Sequence, residues 1–135
     1  DRFFVNYADG LSDLDHNAYL DRFVASGKQG AVTVVPPPQS YHLVDWSDDQ
    51  ADALVPLADS GIWINAGFFI FTPSVFDHLE EDSDLAVALD TMMRAGEVLA
   101  NPYEGFWMPM DTFKEKQHLD AMFAAGDTPW LTPPS

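Results

Sequence analysis

The 135-residue sequence contains no cysteine and few cations. The absence of cysteine excludes disulfides and thiolate metal sites, and it leaves the redox compartment undetermined. Only 6 Lys and Arg residues stand against 22 Asp and Glu residues, which gives a net charge of −16. So negative a chain repels phosphate backbones and anionic lipids, so we expect neither nucleic acid nor a membrane as a partner. The acidic residues either serve solubility, as in a saline environment, or recruit a cationic partner.

Long apolar runs and low-complexity segments are also absent. No run reaches the roughly 20 apolar residues that cross a membrane. No basic segment followed by an apolar one indicates a secretory signal, so we expect a cytoplasmic protein. Hydrophobic residues make up 47% of the chain and aromatic residues 13%, which is enough for a sizeable core. Without a recognisable linker or repeat, the sequence predicts a single domain over residues 1–135.

Strand patterns alternate with helix patterns along the chain. Apolar or β-branched runs predict the strands, and amphipathic segments with capping residues predict the helices. This alternation is typical of an α/β fold with a largely parallel sheet. The predicted strands cover residues 3–7, 31–35, 41–46, 53–57, 63–71 and 98–103, and the predicted helices cover 17–26, 73–79, 85–95 and 112–125.

Two aspartates, Asp9 and Asp111, each follow an aromatic run that is typical of a buried strand. Magnesium is commonly held by one or two carboxylates together with substrate phosphates. The pair therefore predicts a shared Mg²⁺ site for a phosphate-bearing substrate, and Gly10 would let the backbone turn or approach a ligand closely. Each aspartate has a structural alternative, because Asp9 could stabilise a turn and Asp111 could be the N-cap of the next helix.

Several segments resemble a known enzyme family in their order and spacing. The resemblance is to the sugar-1-phosphate nucleotidyltransferases, most closely the glucose-1-phosphate cytidylyltransferase branch, and it runs from Phe3 to Trp130. The segments that carry it are FFVNYADGLSDLD at 3–15, AVTVVPPP at 31–38, WINAGFFIF at 63–71, AGEVLA at 95–100, GFWMPMDTFKEKQHL at 105–119 and AGDTPW at 125–130.

The resemblance implies the C-terminal part of a Rossmann-like nucleotide-diphospho-sugar transferase fold. Such enzymes make a nucleotide-sugar and pyrophosphate from a nucleoside triphosphate and a sugar 1-phosphate. By this resemblance Asp9 and Asp111 match the family's magnesium ligands, and Asn65 and Gly67 match positions that line the sugar pocket. Asn65 could equally satisfy buried backbone groups. Trp107 is a candidate for stacking on a base or a sugar, since its strand leads to Asp111.

Three features of the family are missing from these residues. The Gly-rich loop and the Arg that grip the triphosphate do not occur. The family's Lys near the sugar phosphate is replaced within Val55-Pro56-Leu57-Ala58, and an Arg is replaced within Ser40-Tyr41-His42. We therefore expect the isolated chain to be inactive, and we expect homo-oligomers because apolar sheet surface would be left uncovered. The alternatives are a non-catalytic sugar- or nucleotide-binding or oligomerisation module, and an enzyme assembled from two chains.

Overall fold

The computed structural model describes residues 1–131 and has an α/β architecture. Its 3₁₀ segments are two single turns, Leu57–Asp59 and Pro129–Leu131, and a longer one, Pro73–His78. The other regular elements of the described residues are eight strands and three α-helices. In chain order they are β1 (Phe3–Asn6), β2 (Gly10–Ser12), α1 (His16–Ser26), β3 (Gly30–Val35), β4 (His42–Ser47), β5 (Gln50–Pro56), β6 (Ile64–Phe71), α2 (Leu85–Arg94), β7 (Val98–Pro102), β8 (Trp107–Pro109) and α3 (Phe113–Ala124).

The main sheet has four strands in the order β1-β6-β3-β7. Strand β3 pairs parallel with β7, whereas β6 pairs antiparallel with both β1 and β3. The predicted α/β class is confirmed, but the prediction of a largely parallel sheet is wrong for two of its three strand pairs. The physical reason is the connection between β3 and β6. Residues 36–63 form this connection, which contains the β4–β5 hairpin and no crossover α-helix. The chain therefore returns along β3 in the opposite direction.

The core lies on both faces of the main sheet because successive side chains of β6 point to opposite sides. Phe69 and Phe71 pack with residues of α2 on one face, and Ile70 packs with residues of α1 on the other. These three side chains are at most 1% exposed. Burial of each contributes about 1.5–3 kcal/mol to the stability of the fold.

Two separate two-stranded sheets accompany the main sheet. The first pairs β2 with β8 antiparallel, with Gly10 opposite Pro109 and Ser12 opposite Trp107. The second pairs β4 with β5 through an acidic turn, in which Asp48 and Asp49 adopt φ values of 46° and 64°. We call the β4–β5 pair the arm, because all residues of β4 are exposed. Among residues 1–131, no helix combines the length and the hydropathy that crossing a membrane requires.

Candidate metal and substrate site

Asp9 lies in the turn between β1 and β2, at the end of the first apolar run. Strand β1 is held along β6, and just beyond its last residue the Tyr7 amide donates a hydrogen bond of 3.0 Å to the Gly67 carbonyl. The chain then turns into β2, and the Asp9 side chain is exposed to solvent. Because β1 pairs with β6 before the turn and β2 pairs with β8 after it, the backbone that carries the Asp9 carboxylate is held on both sides.

Asp111 follows β8, and β8 pairs with the strand that follows Asp9. The Met110 amide donates a hydrogen bond of 2.7 Å to the Asp9 carbonyl, which ties the two segments together directly beside both carboxylates. The structure thus brings together two acids that are about a hundred residues apart in sequence. A hydrogen bond with Asp9 raises the pKa of Asp111 above its ordinary value of 3.8, with smaller contributions from desolvation and from the negative charges of Asp9 and Glu115.

Thr112, and not Asp111, is the N-cap of α3. The Thr112 hydroxyl accepts a hydrogen bond from the Glu115 amide at 3.2 Å, and the Glu115 carboxylate accepts from the Asp111 and Thr112 amides at 2.8 and 2.9 Å. This reciprocal capping box satisfies the helix start without the Asp111 carboxylate. The alternative in which Asp111 caps the helix is therefore wrong, and its carboxylate remains available for other partners.

The donor set of the Asp9–Asp111 pair suits a hard cation such as Mg²⁺. Carboxylate oxygens are its preferred protein ligands, and it usually keeps several waters or substrate oxygens as well. In the part of the chain that the structure describes, no group of three or more His, Cys, Asp or Glu side chains could hold a metal. Two carboxylates that repel each other gain from a cation between them, so the residues present fit a weak site that a phosphate ligand would complete.

Asn65 and Gly67 belong to an irregular part of β6, and Ala66 between them contacts Trp107 and lies next to Gly10. The register of β6 against β3 slips here, because Val32 pairs with Phe69 whereas Val34 pairs with Asn65. The Asn65 Oδ1 accepts a hydrogen bond of 2.7 Å from the Gly67 amide, so its side chain satisfies a local backbone group. Gly67 has a φ of 77°, a left-handed conformation that side chains rarely adopt. Contact of either residue with a sugar stays a prediction.

Trp107 and Gly10 lie next to this irregular segment. The Trp107 Nε1 donates a hydrogen bond of 2.9 Å to the Ala66 carbonyl, which gives the indole a structural partner. A Cβ on Gly10 would lie 3.6 Å from the Trp107 Nε1 and 3.7 Å from the Ala66 carbonyl oxygen, both ordinary contacts. Gly10 is the first residue of β2 and its φ is not positive, so the turn does not require glycine there. A close approach to a ligand and stacking by Trp107 stay predictions.

Two clefts flank β8. Trp107 lines the smaller one, of about 240 Å³, together with the proline segment 36–38. The larger cleft, of about 500 Å³, lies between the base of the arm and α3 and was not predicted from the sequence. Its signal in the sequence is the spacing of Lys114 and His118, which places both on one helix face. The larger cleft is lined by Pro38, Gln39, Ser40, Tyr41, Met108, Pro109, Thr112, Lys114, Glu115 and His118.

Comparison with known proteins supports the family that the sequence resembles. Glucose-1-phosphate cytidylyltransferases from Salmonella typhi and from Salmonella typhimurium LT2 are each 36% identical to the chain over 134 residues. The alignments cover 96% of the chain but 52% of each relative. A Bacillus subtilis protein assigned to the same activity is 26% identical over 131 residues. A scan against models of protein families found no match.

A solved structure supports the fold. A Bacillus anthracis protein assigned as a glucose-1-phosphate thymidylyltransferase, crystallised with sucrose, superposes with a TM-score of 0.62. The superposition covers 90% of this chain and 54% of that protein, at 16% identity. The nucleotide-diphospho-sugar transferase type of fold is thus confirmed, and the chain spans about half the length of the relatives it matches.

Proposed function

We propose that this chain, a homologue of the glucose-1-phosphate cytidylyltransferases that spans about half their length, carries the metal-binding part of a nucleotidyltransferase site. The proposal places the chain in the C-terminal part of such an enzyme. The observation that carries it is the convergence of Asp9 and Asp111, which a hydrogen bond between the Met110 amide and the Asp9 carbonyl joins at the backbone.

The proposed reaction joins a sugar 1-phosphate to a nucleoside triphosphate. A phosphate oxygen of the sugar attacks the α-phosphorus, the bond from that phosphorus to the oxygen bridging to the β-phosphate breaks, and pyrophosphate leaves. The product is a nucleotide-sugar of the CDP-glucose type. A Mg²⁺ ion held by Asp9 and Asp111 would neutralise phosphate charge. The chain's own contribution is to hold the two carboxylates side by side and to position the sugar phosphate near them.

We assign the sugar to the corner formed by Asn65, Gly67, Trp107 and Gly10. The support is proximity, since the Trp107 indole, the Ala66 carbonyl and the position of a Gly10 Cβ lie within van der Waals contact of one another. Gly67 is adjacent to Ala66 and contacts Asn65 through its amide. This proximity supports the proposal that the four residues belong to one sugar-binding region next to the aspartate pair.

The isolated 135 residues would not turn over substrate. A phosphoryl-transfer site depends on fixed positive groups around the reacting phosphates. By the resemblance, the segment that carries the family's Lys corresponds to Val55-Pro56-Leu57-Ala58, which contains no cation. The same substitutions support the second candidate, a non-catalytic sugar- or nucleotide-binding or oligomerisation module. The two candidates differ in whether metal and sugar phosphate bind together through the two aspartates.

A calorimetric titration separates these candidates. Mg²⁺ with glucose 1-phosphate, and then with CTP, is titrated into the chain and into the double variant Asp9→Asn, Asp111→Asn. We expect metal-dependent binding that the double variant loses. The control is Asp48→Asn, Asp49→Asn, which removes the same charge at the tip of the arm, where asparagine tolerates the positive φ. Equal binding by all three proteins, or none by any, would rule out the aspartate pair as a working site.

A further inference from the structure

The carbonyl oxygens in the irregular segment of β6 accept hydrogen bonds from groups outside the ladder with β3. We call residues 66–68 the β6 bulge, since the register against β3 slips across them. All three of its carbonyl oxygens accept hydrogen bonds from outside β3. The donors are the Trp107 Nε1 for Ala66 at 2.9 Å, the Tyr7 amide for Gly67 at 3.0 Å and the Tyr19 hydroxyl for Phe68 at 3.1 Å.

Two of these hydrogen bonds hold the segments that carry the aspartate pair. Tyr7 precedes Asp9 by two residues, and Trp107 opens β8, which leads to Asp111. The third holds α1 against the same bulge. Burial raises the pKa of Tyr19 to about 12, although a hydrogen bond with Thr33 lowers it, so the hydroxyl keeps its proton and donates at neutral pH. The bulge is thus a common support for both acidic segments.

Gly67 has no side chain, which allows the Tyr7 ring to pack closely against the β6 bulge. A Cβ at Gly67 would lie 2.6 Å from the Tyr7 Cδ2, closer than such atoms approach in proteins. The Tyr7 ring therefore lies directly on the bulge backbone, and it also meets the Phe69 ring edge-on at a centroid distance of 5.4 Å. With Tyr7 fixed in this way, the Trp107 hydrogen bond is the contact that locates β8 relative to the bulge.

We propose that Trp107 is a positioning residue, whose indole N–H on the Ala66 carbonyl fixes β8 so that Asp111 lies beside Asp9. The metal part of this inference rests on the proposed function, whereas the positional part does not. Without the indole N–H, β8 is held by its short pairing with β2, by the Met110 amide, and by the Ser12 hydroxyl and Asp13 amide, which donate to the Phe106 carbonyl. None of these contacts reaches the β6 bulge. Loss of one hydrogen bond of this kind changes an equilibrium by about two- to tenfold.

Disulfide cross-linking tests the positional part without any metal. The chain contains no cysteine, so the double variant Asp9→Cys, Asp111→Cys introduces the only thiols. Its rate of disulfide formation under a fixed oxidant reports how often the two positions meet. We expect Trp107→Phe to slow this rate about two- to tenfold, and Trp46→Phe, the same change on the exposed arm, to leave it unaltered. An unaltered rate in Trp107→Phe, or no cross-link even with Trp107 present, would overturn the proposal.

Manganese binding, followed by electron paramagnetic resonance, tests the metal part. Trp107→Phe is expected to weaken Mn²⁺ binding about two- to tenfold, and to have no further effect when Asp111→Asn is already present. A purely structural role would weaken binding in both backgrounds and would overturn the proposal. If cross-linking depends on Trp107 but the aspartates bind no Mn²⁺, the positioning role stands and the proposed function fails. Should Trp107→Phe not fold, benzothienylalanine at position 107, which replaces only the N–H by sulfur, takes its place in both experiments.

Discussion

Gly67→Ala is the substitution whose cost the structure defines most directly. Two separate penalties apply at this position. The backbone has a φ of 77°, and forcing an L side chain into this left-handed region costs about 1–2 kcal/mol. The new Cβ would also lie 2.6 Å from the Tyr7 Cδ2, and relieving such overpacking costs about a further 1–3 kcal/mol. We therefore expect a total loss of about 2–5 kcal/mol in the free energy of unfolding.

Gly96→Ala is the matched control for this prediction. Gly96 has a φ of 73°, but a Cβ there would meet no atom within 4 Å, so only the backbone penalty applies. The free energy of unfolding, measured by urea denaturation with circular dichroism, should fall by about 1–2 kcal/mol in Gly96→Ala and clearly more in Gly67→Ala. Equal losses in the two variants would show that Tyr7 does not press on the bulge, and the reasoning about its compact support would be refuted.

Three further predictions concern Asp111, Thr112 and the arm. Asp111→Asn should raise the melting temperature at pH 7 but not at pH 3. Because the pKa of Asp111 is raised in the folded protein, its ionisation above about pH 3.8 destabilises the folded state. A higher melting temperature of the variant at pH 3 as well would contradict this. Thr112→Ala removes the side-chain acceptor of the capping box and should cost about 1 kcal/mol in urea unfolding, whereas an unchanged midpoint would show that α3 does not depend on its cap. Finally, Trp46→Ser with Leu54→Ser should convert a self-associated chain to a monomer in light scattering at micromolar concentration. Both residues lie on the apolar face of the arm with Val44 and are 66% and 65% exposed, and a monomeric unsubstituted chain would rule this interface out.

We expect a second copy of the chain to cover the apolar face of the arm. Val44 lies opposite Leu54 on this face, while Asp45 points to the other side and Asp52 is bonded to Ser47 and Gln50. A chain with a net charge of −16 repels itself almost everywhere else. Val44, Trp46 and Leu54 form an apolar patch on which two copies could meet.

Local sequence signals predicted most of the elements of the fold. The β-branched run at 31–35 forms β3, and the amphipathic segment at 17–26 forms α1, as their patterns indicate. The antiparallel insertion of β6 could not be predicted, because strand direction depends on long-range pairing and not on the pattern of one strand. The short strand β2 was missed for the same reason, since its three residues are specified by β8 rather than by their own propensity.

The candidate site was predictable in its acids but not in its support. Asp9 and Asp111 stand out because each is a lone carboxylate after an apolar strand, and the structure does bring them together. The role of Trp107 as a hydrogen-bond donor to the β6 bulge depends on a register slip that no local pattern encodes. Gly67 could be recognised as unusual, since glycine within an apolar strand often marks a bulge. Its contact with Tyr7 could not.

Few cations of the chain are placed to bind a phosphate beside the aspartate pair without a metal. Of the 6 cations, Arg94 and Lys116 pair with acids one helical turn away, Arg22 bonds to Asn101, and Lys28 bonds to the Gly96 carbonyl. Within residues 1–131 this leaves Arg2 and Lys114, of which Lys114 lines the larger cleft, three residues beyond Asp111. One flexible ammonium cannot offset the field of 22 acids around a phosphate. Any phosphate that binds beside Asp9 and Asp111 should therefore do so only together with a divalent cation.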